Sequence, residues 1–145
     1  MNQLNYHDIF EAYLKKNESR YTKTKRFITE EIFKLTDRFE VEIFIDHLRT
    51  KAHDISRATV YRLIKQLLDA NLLQKISTLD GKVFYEPSNP QINHAHVICN
   101  NCGKIHEMKN DALFSLIKNH CDSINFTITY QSIHIYGECN HDCTQ

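Results

Sequence analysis

The apolar positions of this chain fall into two regimes. Over residues 1–70 they recur at helical spacing: Ile9, Phe10, Tyr13 and Leu14 form one short stripe, Ile28, Ile32 and Leu35 a second, and Phe44, Ile45 and Leu48 a third. Val60, Leu63, Ile64, Leu67 and Leu68 match the i, i+3, i+4, i+7, i+8 template at every point and follow Ser56, a residue suited to an N-cap. Beyond residue 70 the pattern becomes strand-like over 72–76 and 82–86, joined through the turn dipeptide Asp80-Gly81. Three helices followed by a hairpin, with one helix in front, is the order of a winged helix-turn-helix. Pro87, Ser88, Asn89 and Pro90 then break the chain, and the remainder predicts strand 94–99, strand 104–108, helix 111–120 and strand 125–136. The expected fold class is α+β: an N-terminal winged helix over 1–86, a hinge over 87–93, and a small α/β domain over 94–145.

Composition sharpens that division. The 145 residues carry 18 basic and 18 acidic side chains, so the net charge alone predicts no partner. Residues 1–86 hold 15 Lys/Arg against 13 Asp/Glu, whereas residues 87–145 hold 3 against 5, with all five Cys and six of the nine His. Three Gly, two Pro and 41% hydrophobic residues exclude a collagen-like or low-complexity chain. No apolar run approaches the length of about 18 residues needed to cross a membrane, and residues 1–7 lack the pattern of a signal peptide. The expectation is a soluble, cytoplasmic protein. In that reducing compartment clustered cysteines point to metal before disulfides.

On a helical wheel the residues opposite Val60 are Arg62 and Lys65, flanked by Thr59, Tyr61 and Gln66. A recognition helix has this form: one face buried, the other offering cationic donors to phosphates and base edges, with an aromatic ring able to meet thymine methyls. The stretch 15–26 adds six Lys/Arg, Arg20 among them, against the single acid Glu18. Basic faces on amphipathic helices are ordinarily just solvated, but the hairpin after the helix favours DNA. The small surplus of charge implies that affinity depends on dimerisation.

The second part carries two metal-like constellations. Cys99-Asn-Asn-Cys102-Gly103 has the spacing of a zinc knuckle, and Cys139 and Cys143 form a second pair; four thiolates complete a tetrahedron that staples the last strand to the knuckle. Cys121, near a helix end, reads as a packed thiol. His94 and His96 lie at i and i+2 of a strand and so share a face, with Glu86 at the end of the hairpin and Glu107 on the next strand as acidic companions. Two imidazoles and two carboxylates suit Fe2+, Mn2+ or Zn2+. Two nearby histidines on a strand are otherwise ordinary surface residues.

Ala58-Thr59-Val60-Tyr61-Arg62, the run from His94 through Cys99, Cys102 and Gly103 to Glu107, and Ile135-Tyr136-Gly137-Glu138-Cys139, in that order, resemble the ferric uptake regulator (Fur) family of bacterial metal-dependent repressors. The resemblance implies a homodimer of winged-helix domains on C-terminal dimerisation domains. It implies structural zinc on Cys99, Cys102, Cys139 and Cys143, operator contacts by Tyr61 and Arg62, and metal sites near the hinge built from Glu86, His94, His96 and Glu107. The chain also departs from the pattern. Arg38 stands where the family usually offers a histidine from the DNA-binding domain, and Ala95, Phe114 and Gln131 occupy positions of a neighbouring metal site, which is therefore expected to be absent. Glu107 replaces the Asp typical of the peroxide-sensing branch. Arg38 leaves three outcomes: a retained but altered regulatory site, which is favoured, an ion pair with Glu86 or Glu107 that imitates the metal-bound arrangement, or a different site that recruits His106 or His134.

The expected function is a metal-responsive, homodimeric transcriptional repressor. It would read A/T-rich, pseudo-palindromic double-stranded operator DNA through Arg20, Thr59, Tyr61, Arg62 and Lys65. The alternatives are a small zinc hydrolase using His94, His96 and Glu107, which lacks an evident nucleophile or oxyanion hole, and a zinc-ribbon adaptor without DNA affinity.

Overall fold

In a computed structural model of the chain, the described residues are 5–52, 54–88, 95–129 and 131–140. The elements run α1 (Tyr6–Lys16), α2 (Lys23–Phe33), α3 (Val41–Lys51), α4 (Arg57–Asp69), β1 (Leu73–Ser77), β2 (Val83–Pro87), β3 (Ala95–Cys99), β4 (Ile105–Met108), α5 (Asp111–Ser123) and β5 (His134–Gly137). They group into two compact units, residues 1–75 with 84–88, and residues 76–83 with 89–145. No described helix is long and apolar enough to cross a membrane.

The first unit is built by its apolar stripes. Phe10 and Leu14 of α1, Ile28 and Ile32 of α2, Phe44, Ile45 and Leu48 of α3, and Val60, Leu63, Ile64 and Leu67 of α4 converge in one core with Leu72 and Leu73. Each such side chain contributes about 1.5–3 kcal/mol by leaving water, which fixes the roll of α4 and hence which of its residues face out. Caps fix where the helices start: Ser56 Oγ accepts from the Thr59 N–H at 3.2 Å and Thr22 Oγ1 from the Lys25 N–H at 3.2 Å. The end of α4 is set by Asn71, whose φ of 59° lets the Leu72 N–H reach back to the Leu67 carbonyl at 2.9 Å. In the hairpin turn Gly81 holds φ at 87°, a value strained for any residue with a Cβ. A bridge between Phe39 and Tyr85, closed by reciprocal N–H···O bonds of 2.8 and 2.9 Å, adds a one-residue third member to the two-stranded wing.

One acid ties α2 to α3. Glu31 is 4% exposed and receives Lys34 Nζ at 2.9 Å, Lys51 Nζ at 2.8 Å and His47 Nε2 at 3.5 Å. The Lys51 hydrogen bond, opposed by burial and aided by Lys34, holds its carboxyl down at about 2.

In the second unit β3 is the central strand of a sheet ordered β4-β3-β5, antiparallel to β4 and parallel to β5, with α5 as the crossover that a parallel pair requires. Ala95 and Ile98 of β3 are fully buried, with Phe114 of α5 and Ile105 of β4 also buried. The predicted strand 125–136 is a correction: among the described residues of that stretch, strand is confined to β5, His134–Gly137. The intervening residues serve to end α5, with Asn125 at φ 56° and the Phe126 N–H bonded to the Cys121 carbonyl at 2.9 Å. The predicted hinge falls mostly on residues outside those described.

Because the Glu31 carboxyl titrates at about 2 when folded and near 4.3 when unfolded, its contribution is present above pH 4.3 and lost as the pH falls toward 2. Chemical denaturation across that interval should show Glu31→Gln less acid-sensitive than the parent, and about 1–3 kcal/mol less stable at pH 7. Equal pH slopes in the two proteins would contradict the assignment.

Candidate metal centre and nucleic-acid face

Cys99 ends β3, Cys102 lies in the following turn, and Cys139 follows β5. The turn is shaped by Gly103, at φ 69°, whose N–H bonds to the Cys99 carbonyl at 2.9 Å. The parallel register sets Cys99 against Gly137, so the chain leaving β5 delivers Cys139 beside the knuckle. The three sulfurs lie within 4.8 Å of one another. Thiolates on one tetrahedral zinc, with bonds of about 2.3 Å, stand about 3.8 Å apart, so this donor set fits that ion. Backbone N–H donation from Cys102, then from Cys139, pulls the Cys99 thiol down to about 6, which favours the thiolate that a metal needs. Cys143, the expected fourth ligand, lies outside the described residues. Cys121 is half-buried on α5.

The sheet register sorts the remaining ligand-type residues by face. His96 of β3 is fully buried and stands in one row with Glu107 of β4 and His134 of β5. Its imidazole ring lies 5.5 Å from that of His134, at 82°. His106 pairs with Val97 and therefore projects from the opposite face, away from His96. Of the two histidines considered for a rearranged site, only His134 shares the His96 row. His94 lies outside the described residues. Glu86 is buried on β2 and accepts a hydrogen bond from Gln74 Nε2. The Arg38 N–H donates to Asp37 Oδ1 at 2.8 Å, and its guanidinium lies 3.8 Å from the same oxygen. Ala95 and Phe114 are buried and apolar, so two of the three positions compared with a neighbouring metal site offer no donor.

On α4, Arg57, Tyr61, Arg62 and Lys65 are exposed, whereas Val60, Leu63, Ile64 and Leu67 are buried. Thr59 is half-buried, its hydroxyl 2.7 Å from that of Ser56. Arg20 is exposed in the connection between α1 and α2. Lys25 of α2 is half-buried, with Nζ donating to Ser19 Oγ at 2.8 Å, and has its pKa lowered by burial and then by the charge of Arg62. Sequence reasoning missed two members of this face. Arg57 belongs to it by its i, i+4 spacing to Tyr61, a signal that was available. Glu42 of α3 accepts from Tyr61 Oη at 2.7 Å and Arg57 Nε at 3.0 Å, across separations that no local pattern encodes.

A family model, the ferric uptake regulator family, matches residues 16–136. The chain belongs to this family. It is 34% identical over 86 residues to the ferric uptake regulation protein of Yersinia pestis, a match covering 59% of this chain and 57% of that protein. It is 31% identical over 93 residues to the same protein of Escherichia coli K12, covering 63% and 62%. The chain thus spans less than two thirds of the length of these curated relatives. Among solved structures, the Vibrio cholerae ferric uptake regulator superposes with a TM-score of 0.61 at 26% identity, covering 89% of this chain and 98% of that one. The Pseudomonas aeruginosa regulator, solved with manganese, gives 0.74 at 19% identity over 90% and 98%, a likeness of fold. The α+β architecture expected from the hydropathy pattern is therefore that of the Fur fold.

Proposed function

We propose that this chain is a metal-responsive transcriptional repressor that acts as a homodimer on double-stranded operator DNA. The observation that carries the reading is α4: its apolar stripe is consumed by the core, and Tyr61, Arg62 and Lys65 are left outward, with Lys25 beside Arg62. A phosphate backbone is the natural partner for such clustered cations, and the second helix of a helix-turn-helix is the element that enters a major groove. Arg20 and Thr59 extend the same contact surface. A pseudo-palindromic site follows from a two-fold dimer that carries one such helix per subunit, and the same reading takes that site to be A/T-rich.

In this reading residues 1–86 bind DNA, 87–93 form the hinge, and 94–145 hold metal and the partner subunit in the cytoplasm. Leu116, Ile124, Phe126 and Ile135 of the second unit are large apolar side chains left 45–68% exposed, and a second copy would cover them. Structural zinc is held by Cys99, Cys102 and Cys139, with Cys143 as fourth ligand. The regulatory ion, Fe2+, Mn2+ or Zn2+, draws on His96 and Glu107, with His94 two positions earlier in the sequence. A divalent ion there supplies a positive charge that draws imidazole and carboxylate together, which biases one conformation over another. Membership of the regulator family, together with the outward basic helix, favours this reading over a hydrolase or an adaptor without DNA affinity.

Electrophoretic mobility shifts on A/T-rich palindromic duplexes, with and without chelator and added metals, test the central claim. Tyr61→Ala and Arg62→Ala should each weaken binding by about 1–3 kcal/mol. Parent-like affinity in both would remove α4 from the interface. Metal analysis of the purified protein should give about one tightly held zinc per chain. Cys102→Ser and Cys139→Ser should each lose that zinc and lower the melting temperature; a stable zinc-free parent would refute the staple.

A further inference from the structure

Both carboxylate oxygens of Glu42, in the first turn of α3, are turned toward α4. Oε1 accepts from Arg57 Nε at 3.0 Å and from Tyr61 Oη at 2.7 Å, while Oε2 lies 2.5 Å from Arg57 Nη2. The Arg57 fork thus meets the carboxylate fork, the strongest geometry available to an ion pair. Yet the Glu42 and Arg57 side chains are 52% and 62% exposed, and Tyr61 is 43% exposed. Ion pairs this open to water contribute little to stability, so the fold has small need of this one.

Its place says more than its strength. Arg57 and Tyr61 occupy the first turns of α4, the end of a recognition helix that meets base edges. Glu42 therefore sets a fixed negative charge directly on Arg57 and Tyr61, beside the exposed Arg62 of the same helix, while Asp46, one turn further along α3, reaches Arg57 only through space. That charge acts on an approaching duplex in two ways. It repels phosphate, and it occupies a guanidinium and a phenol hydroxyl that would otherwise donate to any phosphate within reach. A base-edge amino group, such as that of cytosine, can instead satisfy the carboxylate.

We propose that Glu42 is a specificity-determining residue of the DNA-binding face. It withholds Arg57 and the Tyr61 hydroxyl from indiscriminate phosphate contacts and yields them only at sites whose base edges supply the carboxylate with another donor. The inference rests on the reading of α4 as the DNA-binding helix and goes beyond it: the most consequential side chain for discrimination is an acid on the neighbouring helix.

The test uses the full chain with its metals, and Glu42→Gln, which keeps the shape and removes the charge. Two duplexes are compared over a salt series: one of mixed sequence, and one enriched by the parent protein from a randomised pool. Affinity for the mixed duplex should rise about tenfold, the scale of one hydrogen bond to a charged group, and affinity for the enriched duplex should rise less, so the ratio narrows. The slope of log affinity against log salt on the mixed duplex should steepen by about one, because Arg57 gains a phosphate. Adding Arg57→Ala to Glu42→Gln should cancel both changes. Equal losses on the two duplexes would reduce Glu42 to a support for Tyr61 and overturn the proposal, as would unchanged affinity and slope, or a gain that survives Arg57→Ala. Glu42→Ala, read in the same way, guards against a fault particular to glutamine, and thermal melts establish that each variant is folded. If the parent binds neither duplex, the reading of α4 fails and this inference falls with it; a parent that binds beside an unaltered Glu42→Gln overturns this inference alone.

Discussion

The parallel pairing of β3 with β5 is the constraint on which the second unit depends. Two parallel neighbours cannot be joined by a tight turn, so α5 must cross between them, and β4 is left to pair on the other edge of β3. Everything chemically notable there follows from that register. Cys99 sits opposite Gly137, so Cys139 emerges two residues later next to a thiol 40 positions earlier in the chain. Three residues earlier on β3, His96 falls between Glu107 and His134. A slip of one residue would turn His96 to the other face and replace it with Val97. Cysteines at both ends of the crossover therefore do more than hold an ion: crosslinked through it, they would lock the register that orders the histidine row.

The first unit answers to a different constraint, the roll of α4 about its axis. Four apolar residues at 3.6-residue spacing leave a single orientation that buries them all, and that orientation decides which cations meet solvent. Glu31 supports the same end from behind. By gathering Lys34, Lys51 and His47, it joins α2 to α3, the helices against which α4 packs. A carboxylate this deeply buried is tolerable only when so fully paired. It also removes two lysines from the count of cations that could face DNA.

How much of this was legible follows from the range of the interactions. The helix over 57–69 was legible because its stripe, its cap and its basic face are all local, and the cysteine spacing was legible because ligand geometry dictates it. The strand over 125–136 was overestimated: Phe126 and Ile128 alternate with polar residues as a strand would, but capping of α5 by Asn125 claims that backbone first. The Phe39–Tyr85 bridge has no signature, since a single residue cannot display a period. The partnership of His96 with His134 depends on a parallel register that hydropathy does not specify. Glu42 was invisible for a related reason, because its partners lie 15 and 19 residues away on a different helix.

The near-neutral charge of the first 86 residues, 15 basic against 13 acidic, acquires a physical sense from where the acids stand. A DNA-binding domain with a large basic surplus gains affinity for every duplex alike, since the phosphate term carries no sequence information. A domain that spends its acids on its own cations weakens that shared term and leaves discrimination to the contacts that survive. Glu31 does so from a buried position between α2 and α3, and its effect is on packing. Glu42 does so at the first turns of α4, where the same pairing falls on groups that would touch the bases. Charge balance in this chain is therefore better understood as two local neutralisations, one buried between α2 and α3 and one exposed at the start of α4, than as a sum.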